Sequence, residues 1–142
     1  MNYSEMLNQI HGVISYQMSE LNGQISRLER ARQQIEREQS ACLSEMRKIL
    51  DPELDQLWKG LRAEDFHDDR NQAYEIMRNI AEYDYDEYKG SIQDRIDGLN
   101  FQLNMLSAAS GLANEADKLL AIGDDALDEI GSKINDLQRR LF

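Results

Sequence analysis

The residues best equipped for chemistry are a tight polar cluster, Asp65, His67, Asp68 and Asp69. Carboxylate oxygens and an imidazole are ligands that a divalent cation accepts. Neighbouring residues on a helix point in different directions, however, and the spacing matches neither an EF-hand loop nor two ligands one helical turn apart. We therefore read these acids as solvating the first turns of a helix and complementing its dipole, and expect no metal. His11 and His67 are the only histidines, and the layout below separates them to different ends of a hairpin. No glycine-rich phosphate loop, nucleophile elbow or paired-cysteine motif is present. No catalytic residue and no cofactor is expected, and the chain reads as a non-enzyme. Cys42 is the single cysteine, which excludes an intramolecular disulfide and a cysteine zinc site within one chain. Its place on an apolar stripe fits a small hydrophobe better than a reactive thiol.

Recognition is the remaining chemistry. Trp58 and Gly60, in Trp58-Lys59-Gly60, combine a ring able to plug the open end of a hairpin with a residue free to adopt a reversing backbone. Tyr83, Tyr85 and Tyr88, interleaved with Asp84, Asp86 and Glu87, offer large contact area at low entropic cost. The plainer reading, which we prefer, packs two of these tyrosines on the first helix and leaves one at the surface.

The elements that must position these residues are helices. Apolar side chains recur every seven residues at Leu7, Ile14, Leu21, Leu28, Ile35, Cys42 and Ile49, a slightly supercoiled stripe that predicts a first helix over about 3–50. The companion positions His11, Met18, Ile25, Arg32, Gln39 and Met46 are mixed, so that half of the seam is expected to be wet in places. Asp51-Pro52 ends the helix, with Pro52 able to open a short turn capped by Asp51, and 51–62 is the connection. A second helix over about 63–108 carries Phe66, Ala73, Met77 and Ile80, then an untidy middle at Tyr83 or Asp84. It regains a firm pattern at Ile92, Ile96, Leu99, Leu103 and Leu106. At ~1.5 Å per residue the two arms match at roughly 70 Å, which implies an antiparallel pair. The segment SAASG at 107–111 is the next candidate break. The seven-residue row nevertheless continues through Ala113, Leu120, Leu127, Ile134 and Leu141, while the companion row moves to Ala116, Ile130 and Leu137. The fold class is thus all-α: a long antiparallel helical hairpin in one domain, with a C-terminal helix over about 112–141 either folding back or extending the second helix. Two helices cannot cover both rows, so apolar surface is left for a second chain. Ile92, Leu99, Leu106, Leu120, Leu127 and Ile134 are the candidate partner-binding residues.

Twenty-seven acidic against 16 basic residues give a net charge of −11, which disfavours nucleic acid and anionic membrane surfaces as partners. No segment approaches the ~18 apolar residues that a membrane helix needs. The N-terminus MNYSEMLNQIHGVISYQMSE lacks the basic start, apolar run and cleavage site of a Sec signal peptide. The chain is therefore expected to begin in the cytoplasm, with export by a route needing no cleaved leader left open.

A Trp-x-Gly between two helices of similar length in a small acidic protein resembles the WxG superfamily of helical hairpins handled by type VII secretion systems. SEMLNQIHGVIS, ISRLERARQQIE, ILDPELDQLWKGLRAEDF and YDEYKGSIQDRIDGLNFQ are similar to the YwqH-like family over most of the chain. That resemblance implies an accessory protein of a polymorphic toxin with an LXG-type N-terminal domain. The chain would bind this helical domain, with room for a second small helical partner, in a hetero-oligomer directed to export. Trp58 and Gly60 carry over as the turn signature. Many secreted members bear a Tyr-x-x-x-Asp/Glu export signal just after the second helix, whereas the comparable Tyr83 to Glu87 spacing here lies mid-helix and reads as a coincidence of i, i+4 neighbours. The export signal is then expected on a partner. Two alternatives are a self-associating structural coiled coil, motivated by the row from Ile92 to Leu141, and an immunity protein, for which no specific residue speaks.

Overall fold

The computed structural model describes residues 2–50 and 60–142. Among these the fold is all-α: α1 (Tyr3–Met46), α2 (Leu61–Asn79), α3 (Tyr85–Ile122) and α4 (Leu127–Leu141). The chain forms two compact units, one of Met1–Arg27 with Ile96–Phe142 and one of Leu28–Arg95, where a single domain is expected from the sequence.

In the first unit, α1 opens on Asn2, whose side-chain oxygen accepts the Ser4 amide at 2.9 Å and so satisfies one of the free donors of the first turn. Leu7, Ile10 and Ile14 of α1 pack with Ala109, Ala113 and Ala116 of α3 and with Ile130, Ile134 and Leu137 of α4 in one core. The alanines are 0–1% exposed; their small side chains let the larger residues of the other two helices fill the centre. Each fully buried leucine or isoleucine contributes about 1.5–3 kcal/mol by leaving water. His11 Nε2 meets Asp117 Oδ2 at 2.6 Å, while Tyr16 and Leu21 share a groove with Met105 and Leu106. The partner number on α3 falls as that on α1 rises, so the two are antiparallel. Lys133 Nζ donates to Glu115 at 2.8 Å, joining α4 to α3 at the rim.

Of the two placements left open for the C-terminal helix, folding back is the observed one, but the break lies elsewhere. α3 runs unbroken through 107–111 to Ile122, and the chain reverses at Gly123 (φ 102°) before α4 begins at Leu127 rather than near 112. Residues 107–111 stay helical because Ala109 is sealed in the core at 1% exposure, a tertiary gain that outweighs the roughly 1 kcal/mol cost of Gly111 in a helix. Gly123 supplies the left-handed backbone that commonly ends a helix, and Asp128 and Glu129 sit at the favourable start of the next.

In the second unit, α1 ends in a 3-10 turn at Arg47–Leu50, just before the Asp51-Pro52 stop. Trp58, with the cap expected at Asp51-Pro52, lies outside the described residues. Gly60 adopts φ 120°, ψ 174°, a backbone open to glycine and strained for other residues, and its carbonyl accepts the Glu64 amide at 3.0 Å. α2 passes into α3 through a π-helical turn at Ile80–Asp84. Here the seam is not the one the apolar pattern suggests. The residues turned inward are Ala63 and Ala81, at 6% and 0% exposure, with Arg70, Tyr74 and Tyr85 partly covered. The apolar row itself faces out: Met77, Ile80 and Phe66 are 37%, 42% and 46% exposed.

The polar companion row of α1 explains that choice. Gln39 Nε2 donates to the Ala81 carbonyl at 2.8 Å and to Asp86 Oδ1 at 2.9 Å, and Gln39 Oε1 accepts from Lys89 Nζ at 2.7 Å. Arg32 donates to Gln93. Half-buried amide and guanidinium groups need partners, and the π turn, by adding a residue to the helical repeat, brings the Ala81 carbonyl within reach of Gln39.

Candidate partner-binding surfaces

The six residues expected to bind a partner are mostly consumed by the chain itself. Leu99, Leu106 and Ile134 are 1%, 7% and 1% exposed, Ile92 is partly covered, and Leu120 packs on the core of the first unit. Only Leu127, 44% exposed, remains substantially open. Folding α4 back accounts for Leu120 and Ile134, which join the core that α1, α3 and α4 share.

What stays open lies on other faces. On α2, Ile76 is 61% exposed and, one helical turn on, Ile80 is 42% exposed, with Met77 beside them and Tyr83 at 69% in the π turn. Spacings of four and three residues put these on one side of the helix. Asp65, Asp68, Asp69 and Glu75 are exposed along the same helix. Among the described residues, no group of three or more His, Cys, Asp or Glu side chains converges as a metal site, and Asp65, His67, Asp68 and Asp69 all face solvent.

The tyrosines divide differently from the expectation of two packed and one exposed. Tyr85 is partly covered, whereas Tyr83 and Tyr88 are 69% and 64% exposed. The π turn rephases the helix and swings both outward. Cys42 is free and half-buried.

A second open surface belongs to the first unit. A groove of about 420 Å³ runs beside Leu21 and Leu106, edged by Tyr16, Glu20, Met105 and Arg140. It lies where α4 ends, so a seam covered by a third helix elsewhere in the unit is left with only two. Tyr16 and Met105 are 67% and 50% exposed.

Ionic groups act as rims rather than centres. Asp86 is held below the ordinary carboxylate range, chiefly by its hydrogen bond from Gln39 and then by Lys89. Glu115 is likewise lowered, by the hydrogen bond and charge of Lys133, whose own pKa is raised by the same contact. These pairs tie neighbouring helices together: Asp86 to Gln39 of α1, and Glu115 of α3 to Lys133 of α4.

Neither the reach of Gln39 nor the outward turn of α2 could be read from apolar spacing alone. The untidy middle near Tyr83 and Asp84 was the available signal, marking the point where the helical repeat changes. Among the described residues, no helix is long and apolar enough to cross a membrane.

No family model matches the chain, and no solved structure matches it. Among curated proteins, Protein YwqH of Bacillus subtilis (strain 168) is 30% identical over 138 residues, covering 97% of this chain and 99% of that protein. Similarity at that level extends over nearly the whole of both chains, and the chain belongs to the YwqH family.

Proposed function

We propose that this protein is an accessory partner of a type VII-secreted toxin, binding the toxin's helical LXG-type N-terminal domain to form an export-competent complex. The observation that carries the proposal is the outward apolar row of α2, Ile76, Met77, Ile80 and Tyr83, at 37–69% exposure. A two-helix unit that turns such a row to water is incomplete by itself, and the natural complement is another amphipathic helix laid along it. Family membership supports the reading, as does the Trp58-x-Gly60 sequence by which the chain resembles the WxG superfamily. The self-associating alternative loses its motive, because the row from Ile92 to Leu141 that suggested it is largely covered within the chain.

Co-expression with the N-terminal domain of an LXG-type toxin from the same organism tests the proposal. Co-elution of the two as one species by size exclusion with light scattering is expected, together with reduced toxin export when this chain is deleted at unchanged toxin expression. A monodisperse monomer that does not bind the domain would overturn it.

A further inference from the structure

The outer face of α2 also specifies the chemistry of what covers it. Residues 61–88 hold nine acidic side chains against three arginines, a net of −6. More than half of the chain's excess charge of −11 thus falls on a fifth of its length. Arg78, moreover, is already paired with Glu82 at 3.3 Å. Asp65, Asp68, Asp69, Glu75, Asp84 and Glu87 are all exposed, beside or between the apolar residues.

We infer that the α2 face, centred on Ile76 and Ile80, takes an amphipathic helix whose apolar row is flanked by lysine or arginine. An apolar row supplies affinity without regard to partner, whereas a one-sign rim sets the choice by rejecting like charge and steering opposite charge. A second copy of this chain is disfavoured as occupant, since joining two such faces would set the exposed acids of one against those of the other. A neutral helix would gain the apolar contact and leave the acids unanswered. Assigning this chemistry to α2 rests on the partner-binding function proposed above.

Two labelled peptides with the same Leu/Ile heptad row, one flanked by lysines and one by glutamates, test the inference against the full-length chain by fluorescence anisotropy. The lysine-flanked peptide is expected to bind about tenfold or more tightly than the other, and to weaken as salt rises. Ile76→Ser with Ile80→Ser is expected to weaken it about tenfold at unchanged helical content, since both side chains already face water. Asp65→Asn with Asp69→Asn is expected to reduce the preference between the two peptides. Tyr16→Ser with Met105→Ser, in the other groove, is expected to leave it alone.

Equal binding of the two peptides, binding by neither, or binding indifferent to the α2 changes would overturn the inference. So would a homodimer that disappears with Ile76→Ser and Ile80→Ser. Failure of the two readings is separable. A toxin domain that co-purifies equally well with the α2 variants removes the site while keeping the partnership. Selective peptide binding without any toxin complex does the reverse.

Discussion

The same helix meets two fates in the two units. Along α1, the seven-residue row begins as Leu7, Ile14 and Leu21 at 0%, 3% and 9% exposure and continues as Leu28, Ile35 and Cys42, all only partly covered. Side-chain size does not explain the change, since Leu28 and Ile35 are as large as Leu7 and Ile14. The number of helices does. The first unit places α1, α3 and α4 around one core, whereas the second has only the α2–α3 path against α1 and closes its seam with Gln39, Lys89, Arg32 and Gln93. Where three helices meet, the row is sealed as core; along the second unit, with two, the same row stays partly open to water.

The largest test of that contrast removes volume from each side. Ile134→Ala, at a position 1% exposed, is expected to cost ~2–5 kcal/mol in urea unfolding through lost burial and a residual cavity. Ile76→Ala, at a position 61% exposed, is expected to stay within about 0.5 kcal/mol of the parent. Comparable losses at the two sites would erase the distinction. A smaller effect is expected at Gln39→Ala. The change removes three hydrogen bonds, leaves the Ala81 carbonyl without its side-chain donor, and should cost ~1 kcal/mol. It should also let the Asp86 carboxyl rise toward 3.8 in an NMR titration.

Gly131→Ala sharpens the packing claim from the opposite direction. A Cβ there would come within 2.9 Å of the Tyr3 hydroxyl, so the ring end must move. The gain of about 1 kcal/mol in helix propensity is expected to be largely offset, giving a near-neutral variant by thermal melting with an altered Tyr3 environment. The smallest effect lies at the rim of the first unit. Glu115 has a folded-state pKa below 4.5; its contribution is present above that value and lost as pH falls through the lowered one. Lys133→Met is expected to return Glu115 toward 4.5 by carboxyl NMR, with little change in stability because the pair is solvent-exposed.

Much of this contrast was legible in the sequence. The seven-residue row located α1, and the mixed companions foretold a wet seam: His11, Arg32 and Gln39 each bond across to α3 or the π turn. Gly60 adopts the positive φ its position suggested. The break after the second helix was misplaced because SAASG resembles a loop by composition, whereas the second of its two alanines, Ala109, is core. The true reversal, Gly123 followed by acids, carries a helix-end and helix-start signature in four residues. The partner candidates shifted for a related reason: periodicity shows which residues share a face, but not which helix arrives to cover it. On α2, a single glutamine amide and a π turn decided the facing against the apolar pattern, and neither has a periodic signal.

Native-state hydrogen exchange on the free chain tests the division most directly. α4 has 15 residues and α2 has 19, so length alone would favour α2. The three-helix and two-helix assignment predicts the reverse: the central amides of α4 should be protected about a hundredfold or more over those of α2, because opening α4 exposes Ile130, Ile134 and Leu137 while opening α2 exposes little that water does not already reach. Equal protection of the two helices, or greater protection of α2, would contradict the account.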